Sequence, residues 1–241
     1  MKIYLVMGTH LAEIRQCIRI LAGLSGESPK VEVHLPDGLD WGNSDDEGYS
    51  IQLYEPETVL WVFDPDAEDT AFIVLDPRQP LIEQLEQLAD NLAKCFVEPV
   101  KILTCVDCRQ TEENARLRAW FDACIYYSDI VLLGNRQDAS KAFMRDYQKH
   151  YERLCYPSLF LFLKGAGNPG DPVEVLTPGT RRLSQLFDLE GDGPQEAPPG
   201  VVIESSCDLE LEEAEADPFR QPGPEGAPAH VPDVSDCIVP A

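Results

Sequence analysis

Three ionisable side chains follow apolar runs of strand length within three residues. They are His10, Asp76 and Asp107. In an open parallel α/β sheet the ligand crevice lies beyond the carboxyl ends of the strands. A histidine beside an aspartate in that crevice is suited to acid–base chemistry, so these residues are candidates for an enzyme site. No Gly-x-Ser-x-Gly segment occurs to support an esterase-like reaction.

The spacing of cysteine and histidine does not predict a metal site. Cys105 and Cys108 form one Cys-x-x-Cys pair at a strand end, without a second pair nearby, and the four histidines show no ligand spacing. The acidic residues between positions 37 and 47 lack the order of an EF-hand loop. The eight cysteines are scattered through strand and helix patterns, as is typical of free buried thiols in a reducing cytoplasm. We expect structural thiols, no metal and a cytoplasmic location.

Apolar runs of strand length alternate with stretches of helical periodicity. The predicted strands are residues 2–7, 31–35, 59–63, 71–75, 100–105, 130–133 and 159–163. The predicted helices are residues 11–24, 81–96, 111–127 and 140–154, with one more short helix at 181–187. This alternation predicts a mostly parallel sheet with helices on both faces, a three-layer α/β fold.

The chain divides into an α/β domain, residues 1–189, and an acidic Pro/Gly/Glu-rich tail, residues 190–241. The tail has thirteen acidic residues against one arginine and no sustained periodicity, so we predict that it is disordered. Two apolar islands in the tail, residues 201–203 and 237–239, are either short docking motifs or chance residues of a linker. The acidic segment 36–57 has the chemistry of a loop.

The formal net charge of -24 excludes some classes of partner. Nucleic acid and anionic membranes are polyanions and would be repelled, whereas a protein partner is compatible with this surface. No apolar run approaches the ~20 residues that cross a bilayer. The apolar start, residues 1–7, is read as a buried strand rather than a signal peptide.

The first strand and the residues after it resemble the CobW-type P-loop GTPases, a family linked to metal-cofactor delivery. Gly8 stands where that family has the first glycine of its phosphate-binding loop. The match then ends, because Glu13, Ile14 and Arg15 replace the last glycine, the lysine and the threonine. A phosphate cradle needs converging backbone N–H groups, a lysine and a hydroxyl for Mg²⁺, so we expect no GTP hydrolysis.

Three later segments are similar to the same family. Asp76 and Asp107 end strands that resemble two of its acidic strand ends. Asn135, Arg136 and Asp138 resemble its Asn-Lys-x-Asp guanine motif, with arginine in place of lysine. The resemblance implies that these three residues, together with Gly8, bind guanine nucleotide. A strand-to-helix turn with Asp138 or Ser140 as its N-cap is the alternative interpretation.

The resemblance covers about residues 1–165 and lacks the family's Cys-x-Cys-Cys element, since segment 36–57 contains no cysteine. The leading hypothesis is a non-catalytic GTPase-like protein that acts by protein–protein interaction or regulation, for example with an intact relative. One alternative is a protein that binds GTP or GDP without hydrolysis in a metal-cofactor context. The other is an unrelated enzyme activity near His10, Asp76 and Asp107.

Overall fold

The computed structural model describes residues 1–24, 30–42, 48–55, 69–165, 167–188, 217–220 and 228–241. The strands are β1 (Lys2–Gly8), β2 (Val31–Pro36), β3 (Ser50–Tyr54), β4 (Thr70–Val74), β5 (Lys101–Asp107), β6 (Ile130–Gly134), β7 (Leu159–Lys164) and β8 (Asn168–Pro169). The helices are α1 (Leu11–Leu24), α2 (Leu81–Lys94), α3 (Cys108–Glu113), α4 (Ala115–Tyr126), α5 (Lys141–Arg153) and α6 (Pro172–Leu176). Within these residues, no helix has both the length and the apolar character that crossing a membrane requires.

The strands form one sheet in the order β3-β2-β4-β1-β5-β6-β7-β8, and every pair is parallel except β7 with β8. β1, β4, β5 and β6 are apolar runs without alternation, as expected for strands that are covered on both faces. Residues 3–7 of β1 are at most 2% exposed, and β5 is buried along its whole length. The predicted mostly parallel α/β sheet is therefore confirmed.

Helices cover both faces of the sheet. On one face, α1 contributes Leu11, Ile14, Ile18 and Leu21 to a core that also includes Val175 of α6. On the other face, α2, α4 and α5 pack together over the sheet. Apolar residues at helical spacing place one stripe of each helix against the strands, and the result is the predicted three-layer arrangement.

The predicted helix 111–127 is wrong as one continuous helix, because the structure divides it into two helices at Asn114. Asn114 has an extended backbone, and its side-chain oxygen accepts hydrogen bonds from the N–H groups of Arg116 (3.0 Å) and Leu117 (3.3 Å). Asparagine is a strong N-cap, so α4 starts afresh after α3. The break places the Asn114 side-chain amide at the same end of the sheet as the carboxyl end of β5.

The predicted helix at 181–187 is also wrong. These residues form turns that are tied to a buried carboxylate, Asp129, instead of a helical turn. Oδ1 of Asp129 accepts the Arg181 N–H at 2.6 Å, and Oδ2 lies 3.2 Å from Nη1 of Arg182. The Ile102 N–H of β5 also donates to Oδ2, at 2.7 Å. Tertiary contacts therefore replace the local helical hydrogen bonds.

The acidic segment 36–57 contains a strand that loop chemistry did not predict. β3 pairs in parallel with β2 at the end of the sheet order, with Tyr54 buried and Leu53 66% exposed. The Tyr54 hydroxyl donates to the carbonyl of Val74 at 2.7 Å, which anchors the strand to β4. The predicted strand 59–63 lies outside the described residues.

Two stretches of the predicted tail lie against the α/β domain. The first stretch is residues 217–220. Its Asp217 accepts a hydrogen bond from the Tyr127 hydroxyl at 2.8 Å, and its Phe219 packs on Tyr126. Residues 234–241, called the strap here, begin at a fully buried Val234 and continue across the carboxyl end of β1. Residues 190–216 and 221–227 of the tail lie outside the described residues.

Candidate functional site

The topology places a crevice between the carboxyl ends of β1 and β5. After β1 the chain enters α1 on one face of the sheet, and after β5 it enters α3, which contributes Cys108 to the core of the opposite face. Adjacent parallel strands whose connections leave in opposite directions form a topological switch point, where open α/β sheets place their ligands. We call this position the switch-point crevice.

At the end of β1, the backbone is fixed by packing and by a histidine cap. A Cβ atom on Gly8 would lie 2.7 Å from the carbonyl oxygen of Cys105, so close contact with β5 requires glycine there. Nδ1 of His10 accepts the N–H of Glu13 at 3.4 Å. The neutral ring therefore carries its proton on Nε2, which lies 3.8 Å from Oδ2 of Asp107.

The side chain of Glu13, in the first turn of α1, reaches the end of β6. The residue is 6% exposed. Its carboxyl group lies against Gly134, where an added Cβ would come within 2.1 Å of Oε2. Burial, followed by the charge of Asp107, raises the pKa of Glu13 to about 7, and a hydrogen bond from the Asn135 N–H opposes this rise. The Glu13 carboxyl group therefore remains protonated to a higher pH than an exposed glutamate does.

Asp107 connects β5 to both neighbouring turns. Its Oδ1 accepts the Gln110 N–H at 2.9 Å as the N-cap of α3, and its Oδ2 accepts the side-chain amide of Asn135 at 2.8 Å. Asp107 is 3% exposed. The structure thus brings His10, Asp107 and Asn135 into one hydrogen-bonded and electrostatic group. The sequence predicts His10 and Asp107 in one crevice, but it does not join Asn135 to them.

The residues predicted to bind guanine form a strand-to-helix turn. Asn135 has a left-handed backbone with φ 48° and directs its amide to Asp107. The guanidinium carbon of Arg136 lies 4.4 Å from the centre of the Phe162 ring, and Asp138 is exposed. Ser140, rather than Asp138, caps α5 through the Phe143 N–H. Arg136 and Asp138 are exposed, whereas Asn135 is partly buried and bound to Asp107.

The structure does not bring Asp76 to the other candidate acids and bases. Asp76 is 2% exposed and holds Arg78 through two side-chain contacts of 2.8 Å. Arg78 also donates to the carbonyls of Asp37 and Gly38. Asp76 therefore ties the turn after β4 to the turn after β2, and His10 and Asp107 form the part of the predicted trio that meets.

The Cys-x-x-Cys pair splits across the sheet, in agreement with the prediction of structural thiols. Cys105 belongs to the core on the α1 face, and Cys108 belongs to the opposite core. A hydrogen bond with Cys17, followed by burial, raises the pKa of the Cys105 thiol well above its usual value. Burial raises the pKa of Cys108 to about 12. Neither thiol is available as a nucleophile at neutral pH.

The strap closes the mouth of the switch-point crevice. The Val239 N–H donates to the Thr9 carbonyl, and the Val239 carbonyl accepts the Leu11 N–H, both at 2.8 Å. Two residues earlier in the strap, Sγ of Cys237 accepts a hydrogen bond from the side-chain amide of Asn114 at 3.2 Å. The sequence signal for this contact was the apolar island 237–239, which had no local feature to distinguish it from the island 201–203.

This arrangement holds a histidine and two acids but exposes no attacking group. Thr9 Oγ1 and Cys108 Sγ are the nucleophilic atoms next in sequence to His10 and Asp107, and both residues are 0% exposed. In the described parts of the chain, no group of three or more histidine, cysteine or acidic side chains is placed to hold a metal ion.

A surface cleft of about 300 Å³ lies elsewhere, between α4 and α5. Its lining residues are Arg118, Asp122, Phe143, Asp146, Tyr147 and His150. Arg118 already donates to the carbonyls of Thr111 and Glu112 and lies over the Phe143 ring. Basic and acidic groups alternate in this cleft, so its charge does not select a class of ligand.

The switch-point crevice is thus the position with the largest concentration of candidate residues. The Asp107 carboxylate is bound to Gln110 and Asn135, and the Leu11 N–H is bound to the strap. Comparison with protein-family models, with curated proteins and with solved structures found no match for this chain.

Proposed function

We propose that this chain is a non-catalytic, GTPase-like protein that acts through contacts with other proteins. The observation that carries the proposal is the position of Glu13, whose carboxyl group lies against Gly134 at 6% exposure. A phosphate group would need that space. Phosphoryl transfer depends on positioning and on neutralisation of charge, and a carboxyl group provides neither for a polyanion.

Electrostatics add to this steric argument. Two unit negative charges 4 Å apart repel by about 4 kcal/mol at an effective dielectric constant of 20, which corresponds to roughly a thousandfold in affinity. Glu13 in its ionised form and Asp107 both face the crevice region. A bound triphosphate would therefore require protonation or displacement of Glu13.

The backbone donors of α1 are a second obstacle for an anion. An N-terminal N–H of a helix is the group that phosphate sites use. Here the Leu11 N–H already donates to the Val239 carbonyl of the strap. The chain's own peptide group thus takes the position that an anion would need at the start of this helix.

Calorimetric titration of GDP and GTP into the full chain, with and without Mg²⁺, tests the proposal. We expect no binding heat at millimolar nucleotide and no release of phosphate from GTP, because Glu13 and the strap occupy the crevice. Micromolar binding would contradict the proposal. If Asp138→Ala abolished that binding while the exposed neighbour Gln137→Ala retained it, the function would be guanine-nucleotide binding without hydrolysis.

A further inference from the structure

We propose that the strap occupies, within its own chain, a docking groove for an extended peptide segment of a partner protein. The inference rests on the proposed function, since it names the kind of contact through which a non-catalytic protein would act. The groove runs from the Asn114 break between α3 and α4 to the first turn of α1. Its occupant is a segment with a carboxylate followed by two or three apolar residues.

Backbone pairing makes the groove suited to peptides. Val239 forms a parallel bridge with His10 through its hydrogen bonds to Thr9 and Leu11. The next hydrogen bond, from the N–H of Ala241 to the carbonyl of Asp40, is 3.2 Å long. Such main-chain bonds give affinity for an extended segment, whereas pockets for its side chains give specificity.

Side-chain contacts define the chemistry of the segment that fits. Asp236 pairs with Arg116, Cys237 accepts the Asn114 amide, and Ile238 packs on the core of the α1 face. Val234 is buried against the opposite core. The groove therefore receives a carboxylate at Arg116 and apolar side chains on either side of the sheet edge.

The strap is held in a way that allows exchange. The Arg116–Asp236 pair is exposed, with side chains 46% and 66% accessible, and exposed ion pairs add little to stability. Ile238 and Val239 are only partly buried, so Val234 is the one fully buried apolar anchor of the strap. Segments with few buried apolar contacts open locally at low free energy, and an opened strap leaves the Leu11 N–H and Thr9 carbonyl for another peptide.

Binding of a synthetic peptide with the sequence of residues 231–241 tests the groove. The Val239→Pro variant of the full chain removes the Val239 N–H while leaving the groove unchanged. We expect the fluorescently labelled peptide to bind this variant about tenfold more tightly than it binds the wild type, because the strap no longer competes. The variant Lys149→Ala, at an exposed position of α5 outside the strap and the groove, should bind as the wild type does. A peptide carrying Asp236→Lys should bind weakly to all three.

Several results would overturn the proposal. A folded Val239→Pro variant that does not bind the peptide would make the strap a structural element only. A change in molecular mass of that variant in sedimentation would assign the groove to a second copy of this chain. If the variant fails to fold, hydrogen exchange of the wild type decides. Leu11 and Val239 amides that exchange as slowly as those of Leu5 and Val6 exclude a detachable strap, and faster exchange supports it.

The same samples separate this inference from the proposed function. Micromolar nucleotide binding by the wild-type chain counts against the proposed function, whatever the peptide does. Absence of both nucleotide and peptide binding counts against the docking groove alone.

Discussion

Replacing Asp129 with asparagine is expected to lower the free energy of unfolding by about 3–5 kcal/mol, the typical effect of breaking a buried ion pair. The side chains of Asp129 and Arg182 are 0% and 1% exposed, with 3.2 Å between the charged atoms. The asparagine amide would also turn a donor toward the N–H of either Ile102 or Arg181, both of which now donate to the carboxylate. Urea denaturation at pH 7 measures the loss as a lower midpoint with an unchanged slope.

Asp188→Asn is the matched control for this experiment. Asp188 pairs with the other end of the same Arg182, at 3.0 Å from Nη2, but its side chain is 49% exposed. Solvent screens that pair, so we expect a loss below about 1 kcal/mol. Losses of similar size in the two variants would show that burial of Asp129 does not determine its contribution.

Much of the fold follows from local patterns in the sequence. β1, β5 and β6 are apolar runs that are buried on both faces, and α2 carries Leu81, Leu85 and Leu88 on one stripe. Such patterns reflect which faces are covered, and therefore predict the element type and the layer order. These patterns predict the ends of elements less well. At Asn114, one side-chain cap outweighs the weak helical propensities of the residues around it, and a new helix begins there.

The contacts that define the candidate site were less predictable, because they join residues far apart in the sequence. Gly8 was a candidate for phosphate contact, but its visible role is close packing against Cys105. Asn135 was a candidate for base recognition, and its amide instead binds Asp107. The types of these residues suit both roles, and only the three-dimensional neighbours distinguish between them.

The strap illustrates the same limit at a longer range. Its pairing joins Val239 to Thr9 and Leu11, and a segment that forms a single bridge has no periodicity of its own. The tail that contains it, residues 190–241, is rich in proline and acidic residues, a composition that favours disorder. Burial of Val234 and backbone pairing with the first turn of α1 supply the stabilisation that composition cannot reveal.

Glu13→Gln is expected to remove a large pH dependence from the stability of the domain. The pKa of Glu13 rises from its ordinary value of 4.5 to about 7 on folding, through burial and then the charge of Asp107. Folded protein therefore binds more protons than unfolded protein between those values, and stability falls as pH rises from 4.5 to 7. At about 1.4 kcal/mol for each pH unit, the ionised carboxylate costs the folded state about 3 kcal/mol above pH 7.

Urea denaturation of both proteins from pH 4.5 to pH 8 measures this effect. We expect the free energy of unfolding of Glu13→Gln, relative to the wild type, to increase by about 3 kcal/mol across the range. The difference is the relevant quantity, because other groups titrate in the same window, among them His34, whose pKa burial lowers. Glu152→Gln, at an exposed position of α5, should give a difference that does not vary with pH. A flat difference for Glu13→Gln as well would mean that this carboxyl group is solvated in the folded protein, and the turn after β1 would then have room for an anion.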